Sequence, residues 1–160
     1  MTTTKISLFA GAAVLIAGGL FFAMRTNPPT STNDGHGTIG APESYNAEIS
    51  MAFRAGETQM TPGKYNFRVN RTGGGTNIVV QKADGSVSAI LLPIPGSDAP
   101  KAWQKEGNPK LSFNCVDNAC SLARLWNGRD VSTFDFATPK PTPAEKERLA
   151  EVSVGLTRAD

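Results

Sequence analysis

The sequence contains few of the residues on which enzymes and metal sites are usually built. Among its 160 residues there are one histidine and two cysteines. These cannot supply the four ligands of a structural zinc site without carboxylates, and no spacing typical of metal ligands is present. The sequence therefore predicts no metal site and no cofactor.

Neither sign of charge is in large excess, because the chain has 16 Lys and Arg and 14 Asp and Glu, which gives a formal net charge of +2. Proteins dedicated to DNA or RNA bind the phosphate backbone through a strong positive field. The balance of charge therefore argues against nucleic acid as a partner. The composition, 39% hydrophobic and 19% charged, is that of a globular protein rather than a disordered one.

The chain has one long apolar segment, residues 6–24, which contains no charged residue. A helix of this length spans about 28 Å, close to the thickness of the hydrocarbon core of a bilayer. Lys5 precedes the segment and Arg25 follows it, and the next positive residue is Arg54. This weak bias favours a cytoplasmic N-terminus and export of the remaining chain. We predict that residues 1–25 are an N-terminal membrane anchor with a transmembrane helix at 6–24.

The alternative is a cleaved signal peptide, which would leave a secreted or periplasmic protein. A signal peptide has a shorter apolar region, followed by small residues at the cleavage site. Here the apolar segment ends in bulky residues, Leu20-Phe21-Phe22-Ala23-Met24, so the uncleaved anchor is the preferred prediction.

Residues 26–43 are rich in Pro, Thr, Asn, Gly and Ser, with a single Ile. Such a segment buries too little apolar surface to offset the entropy of ordering it. We predict a disordered linker here, and the histidine within it, His36, is expected to be solvated rather than catalytic.

Residues 44–160 show the alternation of apolar and polar residues that is typical of antiparallel strands. Along one predicted strand, Ile49, Met51 and Phe53 alternate with Glu48, Ser50, Ala52 and Arg54. Turn signals such as Asp84-Gly85 separate the strands. We predict a mainly β exported domain, an antiparallel β-barrel or β-sandwich of about seven to nine strands. One short C-terminal helix is expected at 143–150, where Thr142 to Glu145 have the form of a capping box. The expected core is Ile49, Met51, Phe53, Tyr65, Phe67, Val69, Ile78, Val80, Leu91, Leu111, Phe113, Leu122, Trp126, Phe134 and Val152.

The two cysteines, Cys115 and Cys120, end one predicted strand and begin the next. Cross-strand positions bring Cβ atoms to about 4.5–5.5 Å, near the separation that a disulfide requires. Export would favour oxidation of the pair. We predict a structural disulfide, which would stabilise the fold by roughly 2 kcal/mol because it closes a small loop.

Residues 94–109 form the longest predicted loop and contain Trp103. A large aromatic residue in such a loop either packs on the edge of the core or contacts a partner. Packing is the preferred interpretation, and Trp103 is kept as the candidate partner contact. No nucleophile motif occurs in the domain, although carboxylate pairs such as Asp130 with Asp135 or Glu48 with Glu57 could meet in space.

The segment F-R-A-G-E-T-Q-M-T-P-G-K-Y-N-F-R-V at 53–69 has the pattern of a strand, a Pro-Gly turn and a Tyr-containing strand. It is followed by K-L-S-F at 110–113, L-A-R-L-W at 122–126 and Glu147-Arg148. In this order the segments resemble a family of small exported bacterial β-barrel proteins of unknown function. The resemblance covers about residues 50–152 and implies a fold, with no catalytic residues to carry over. The cysteine pair and the long apolar N-terminus depart from the family.

Together these features predict a membrane-tethered, non-catalytic binding module of the bacterial envelope. The domain would lie in the periplasm, the membrane would be contacted through residues 6–24, and the partner would be an envelope protein or glycan. A structural accessory subunit of an envelope complex is the first alternative, and a small secreted enzyme that uses carboxylates is the second.

Overall fold

A computed structural model describes residues 41–159 of the chain. The predicted anchor at 6–24, the alternative signal peptide, most of the predicted linker and His36 lie outside the described residues. Within the described part no helix is long and apolar enough to cross a membrane. Glu43, the last residue of the predicted linker, is the first residue of strand β1.

The described residues form eleven strands and two short helices. The strands are β1 (Glu43–Ile49), β2 (Phe53–Ala55), β3 (Thr58–Met60), β4 (Gly63–Thr72), β5 (Gly75–Lys82), β6 (Ser88–Leu91), β7 (Lys110–Val116), β8 (Ala119–Trp126), β9 (Phe134–Asp135), β10 (Leu149–Gly155) and β11 (Thr157–Arg158). The helices are α1 (Lys101–Glu106) and α2 (Pro143–Lys146).

The strands form two sheets and no closed barrel among the residues described. Sheet A has the order β11-β1-β4-β5-β6, and sheet B has the order β10-β7-β8-β2-β3 with β9 paired to β8. The mainly β prediction is confirmed, whereas the prediction of seven to nine strands is too low. The pairing is antiparallel except between β2 and β8, which are parallel.

One large core joins the two sheets, because the alternating residues of both point toward it. The T-shaped ring contacts Phe53–Tyr65 and Phe53–Phe113 lie at its centre, with centroids 5.3 and 5.2 Å apart. Most of the predicted core residues are buried there. Met51, Phe134 and Val152 are only partly buried and pack against it.

The continuous alternation over Ile49, Met51 and Phe53 suggested a single strand, and this expectation is wrong. The chain leaves sheet A after Ile49 and enters sheet B at Phe53. Met51 lies between the two strands and is half-buried. An alternating pattern persists through this corner because residues on both sides point into the same core.

Strand β8 contains a β-bulge that reverses which face its last residues occupy. Phe113 pairs with Leu122, but the next pair along is Ser112 with Arg124, so Ala123 is the extra residue. A one-residue slip moves each following side chain to the other face. Leu125 therefore joins the main core, while Trp126 lies in a second cluster with Ala99 and Trp103.

Two predicted segments differ from the structure near these clusters. Residues 94–109 contain helix α1 rather than a continuous loop. The C-terminal helix has the predicted capping box at Thr142 and Glu145 but ends at Lys146. It stops early because residues 149–150 pair with β7 as the start of β10, and ladder hydrogen bonds replace helical ones.

The predicted disulfide between Cys115 and Cys120 is present, with their Cα atoms 4.0 Å apart. Val116 and Ala119 also pair across the hairpin, so the turn has two residues, Asp117 and Asn118. Asp117 has φ of 54°, a left-handed conformation that Asp tolerates better than most other non-glycine residues.

Candidate functional site

A proline-rich segment, residues 137–142, connects β9 to α2; we call it the strap. Its N-terminal end is fixed where the Phe136 N–H donates to the carbonyl of the bulge residue Ala123 at 2.8 Å. Its C-terminal end is fixed by the capping box, in which the Thr142 N–H donates to the Glu145 carboxylate at 2.8 Å. Pro139 and Pro141 keep the backbone between these ends extended.

The strap and the outer face of sheet B enclose a cleft of about 170 Å³. We call it the strap cleft. Since about 10–15 Å³ of such cavity volume is enough to hold one water, the cleft has room for a small organic group. The lining residues are Arg54, Asn114, Val116, Ala119, Ser121, Thr138, Pro139, Lys140, Pro141, Glu145 and Leu149.

The floor of the strap cleft consists of two rows of paired residues. Arg54, Ser121 and Asn114 form a polar row across β2, β8 and β7. Ala119, Val116 and Leu149 form an apolar row beside it. The disulfide lies beneath both rows, because Cys115 and Cys120 alternate with these residues and point into the core. The covalent bond therefore fixes the spacing of β7 and β8 under the cleft.

Cations dominate the charge of the strap cleft. Arg54 and Lys140 are exposed, and neither forms an ion pair with a carboxylate of the described residues. The carboxylate of Glu145 is already used by the capping box, and the backbone and side-chain hydrogen bonds of Thr142 lower its pKa. The free cations, amide and hydroxyl groups therefore suit an anionic group with a short apolar stem.

A second polar cluster, which we call the Glu43 network, lies where the chain enters β1. The Arg71 guanidinium donates to the Glu43 carboxylate at 2.7 Å and to Asp130 at 3.1 Å. The buried Tyr45 hydroxyl also donates to Glu43, and the Arg158 guanidinium lies 5.6 Å from the centre of the Tyr45 ring. The network thus ties β1 to β4 and to the loop after β8.

The pKa values of this network follow from its geometry. Burial alone would raise the pKa of Glu43, but the hydrogen bond from Tyr45 and the charges of Arg71 and Arg158 outweigh it and lower the pKa below 4.5. Burial, followed by the hydrogen bond to Glu43, raises the pKa of Tyr45 well above 10.0. Both groups therefore keep their neutral-pH charge states over a wider pH range than usual.

We expect the Glu43→Gln variant to show the contribution of this network to acid stability. Because the folded pKa is the lower one, the ionised carboxylate stabilises the fold above its unfolded pKa, and this contribution is lost as pH falls through the folded value. The variant should be less stable by about 1 kcal/mol at neutral pH. That difference should shrink as the pH falls below the unfolded pKa of a glutamate, about 4.3.

Urea unfolding at neutral and acid pH measures the effect. Glu48→Gln, an exposed position on the same strand, is the matched control and should unfold like wild type. A Glu43→Gln deficit that stays constant down to acid pH would contradict the assignment.

Trp103, the candidate partner contact, is 7% exposed and packs against Trp126 with ring centroids 6.4 Å apart. Contact residues need an accessible side chain, so this burial favours the packing alternative. The sequence pattern did not predict helix α1. This helix places Trp103 against Trp126, on the face of sheet B to which the β-bulge turns the Trp126 side chain.

Asp130 and Asp135, a pair of carboxylates that could have met in space, each have other hydrogen-bond partners in the described part of the chain. Asp130 binds Arg71 and Asn127, while Asp135 accepts from Ser97. The described residues contain no cluster of three or more His, Cys, Asp or Glu able to hold a metal ion. Every buried side-chain polar atom in this part of the chain has a hydrogen-bond partner.

Comparisons with protein-family models, curated proteins and solved structures gave no match to this chain. The resemblance to exported bacterial β-barrel proteins therefore stays a prediction. The function is argued below from the geometry of the chain itself.

Proposed function

We propose that this protein is a membrane-tethered binding module of the bacterial envelope that does not catalyse a reaction. Residues 6–24 would hold the chain in the inner membrane, with the β domain in the periplasm. The domain would bind an anionic group of an envelope protein or glycan. The observation that carries this proposal is the strap cleft with its free cations.

The lining of the strap cleft favours binding over catalysis. A general acid or base must have a proton to exchange and access to the reacting group. The carboxylate of Glu145 is occupied by the capping box, and the remaining polar side chains are two cations, one amide and two hydroxyls. Such groups orient and neutralise an anion.

The ligand that fits best is a carboxylate on a short apolar stem. Arg54 offers a planar guanidinium that can bind both oxygens of a carboxylate. The apolar row of Val116, Ala119 and Leu149 lies beside it and would contact the stem. The end of a peptide chain with a small apolar last residue has this chemistry, whereas an acidic sugar offers the carboxylate without the apolar stem.

We expect the domain to bind N-acetyl-alanyl-alanine through its free carboxylate, and to bind the C-terminally amidated form less tightly. Arg54→Gln should weaken binding of the acid about tenfold or more, since a hydrogen bond to a charged group contributes about 1.5–3 kcal/mol. Titrations followed by calorimetry or NMR give both dissociation constants.

Arg68→Gln is the matched control, because Arg68 is also an exposed arginine without an ion pair to the described carboxylates but lies on sheet A. It should bind like wild type. Equal affinity for acid and amide, or unchanged affinity in Arg54→Gln, would refute the proposed ligand chemistry.

A further inference from the structure

The chain enters the domain at one identifiable end of sheet A. Glu43, the first residue of β1, pairs with Val69, which pairs with Ile78, which pairs with Leu91. These four residues form one row across four strands, so the start of β1 and the end of β6 lie at the same end of the sheet. At about 4.8 Å per strand, the row spans about 14 Å.

Large exposed hydrophobic residues concentrate at this end. The described residues expose five of them, and two are Ile90 and Leu92, at 71% and 74%. They flank Leu91, so both lie at the end of the row that begins with Glu43. Because β6 is an edge strand, neither has a neighbouring strand on its outer side.

Two more of the five lie at the same end. Ile94 lines a shallow cavity with Thr76, the residue of β5 that pairs with Arg71. Val131 follows Asp130, which the Glu43 network ties through Arg71 to the start of β1. The fifth, Leu149, lies at the strap cleft. Four of five exposed apolar side chains thus share the end at which the chain enters.

Cations lie beside these apolar side chains. Arg68 and Ile90 occupy the same outer row, with Val79 between them. Arg129 is exposed two residues before Val131. Apolar side chains flanked by Arg are the combination that inserts at the boundary between headgroups and acyl chains of an anionic bilayer.

We propose that this surface, the tether face, rests on the anionic phospholipid bilayer that carries the anchor. The tether face consists of Ile90, Leu92, Ile94 and Val131 with Arg68 and Arg129. The inference rests on the proposed function, because it needs residues 6–24 in the membrane. It goes further by assigning the orientation of the domain on the lipid surface.

A lipid occupant is favoured because of where the chain before residue 41 joins the domain. Fifteen residues, 26–40, separate Arg25 from the described part, and a flexible chain of that length reaches about 21 Å. With the proposed anchor in the membrane, a linker of this reach would hold the end of the domain that bears the tether face close to the bilayer. Because the anchor and the domain belong to one chain, contact of the tether face with the bilayer is intramolecular, and a weak affinity for lipid is enough to maintain it.

Tryptophan quenching in the full chain tests this orientation. Leu92→Trp and Ser86→Trp place a new indole at opposite ends of the β5–β6 hairpin, and both positions are exposed. The native Trp103 and Trp126 are buried. Each variant is reconstituted into vesicles of equal parts phosphatidylethanolamine and phosphatidylglycerol, with plain or brominated acyl chains.

We expect brominated lipid to quench about half of the emission added by Leu92→Trp, and none of that added by Ser86→Trp. Val131→Trp, from outside sheet A, should behave like Leu92→Trp, so one misfolded variant does not decide the result.

Flotation of the same vesicles distinguishes failure of the proposed membrane tether from failure of the tether face. A chain that fails to float refutes the membrane tether, and the tether face with it. A chain that floats while Leu92→Trp and Val131→Trp stay unquenched, or while all three variants are quenched equally, overturns the tether face alone.

Discussion

Replacing Phe113 with alanine is expected to lower the free energy of unfolding by about 3–5 kcal/mol. The ring is fully buried and contacts Phe53 edge to face at 5.2 Å. Phe53 in turn contacts Tyr65 of the opposite sheet. Removing the Phe113 ring leaves a cavity at the point where the two sheets meet, and the surrounding structure relaxes only partly to fill such a cavity.

Such a loss is a large part of the 5–15 kcal/mol by which domains of this size are usually stable. Urea unfolding followed by tryptophan fluorescence measures it. Ile90→Ala is the control, because that side chain is 71% exposed and should change stability by less than about 0.5 kcal/mol. Equal midpoints for Phe113→Ala and wild type would mean that the ring does not point inward.

The sequence predicted those features of the fold that depend on neighbouring residues. Alternation identified the inward faces of β4 and β7, on which Phe67 and Phe113 are buried. The hairpin turn at Asp84-Gly85 and the pairing of Cys115 with Cys120 are local as well. Each follows from side-chain period or turn chemistry, which a short segment determines by itself.

The sequence did not predict features that depend on one extra residue or on a distant partner. Nothing in Leu122 to Trp126 marks Ala123 as a bulge, and strict alternation would place Arg124 on the same face as Leu122. In the structure Arg124 lies 3.7 Å from the Glu151 carboxylate. The bulge is stabilised from elsewhere, by the Phe136 N–H.

The strap cleft was missed for the same physical reason. Arg54 and Lys140 are 86 residues apart in the sequence, and they line one site because β2 pairs in parallel with β8 and the strap crosses the same face. Pro139 and Pro141 were a visible signal of an extended segment. The surface it would cover depends on the sheet order, which alternation does not determine.

The environment of Trp103 leads to the second large expected effect. Trp103 lies on α1, a six-residue helix whose first turn has no side-chain cap. Helices this short do not persist without tertiary packing. Trp103 and Ala99 cover Trp126, whose indole N–H donates to the Asp130 carbonyl at 2.7 Å.

Trp103→Ala is therefore expected to lower the free energy of unfolding by about 3 kcal/mol and to unfold α1. The emission of Trp126 should shift to longer wavelength, because water reaches its ring once the cover is lost. Lys105→Ala, an exposed position on the same helix, should leave both the unfolding midpoint and the emission unchanged. If Trp103→Ala kept wild-type stability and instead lost binding to an envelope partner, Trp103 would be the contact residue that its sequence context left open. Its buried position against Trp126 predicts the opposite result, since a side chain that the domain covers stabilises the domain and is not accessible to a partner.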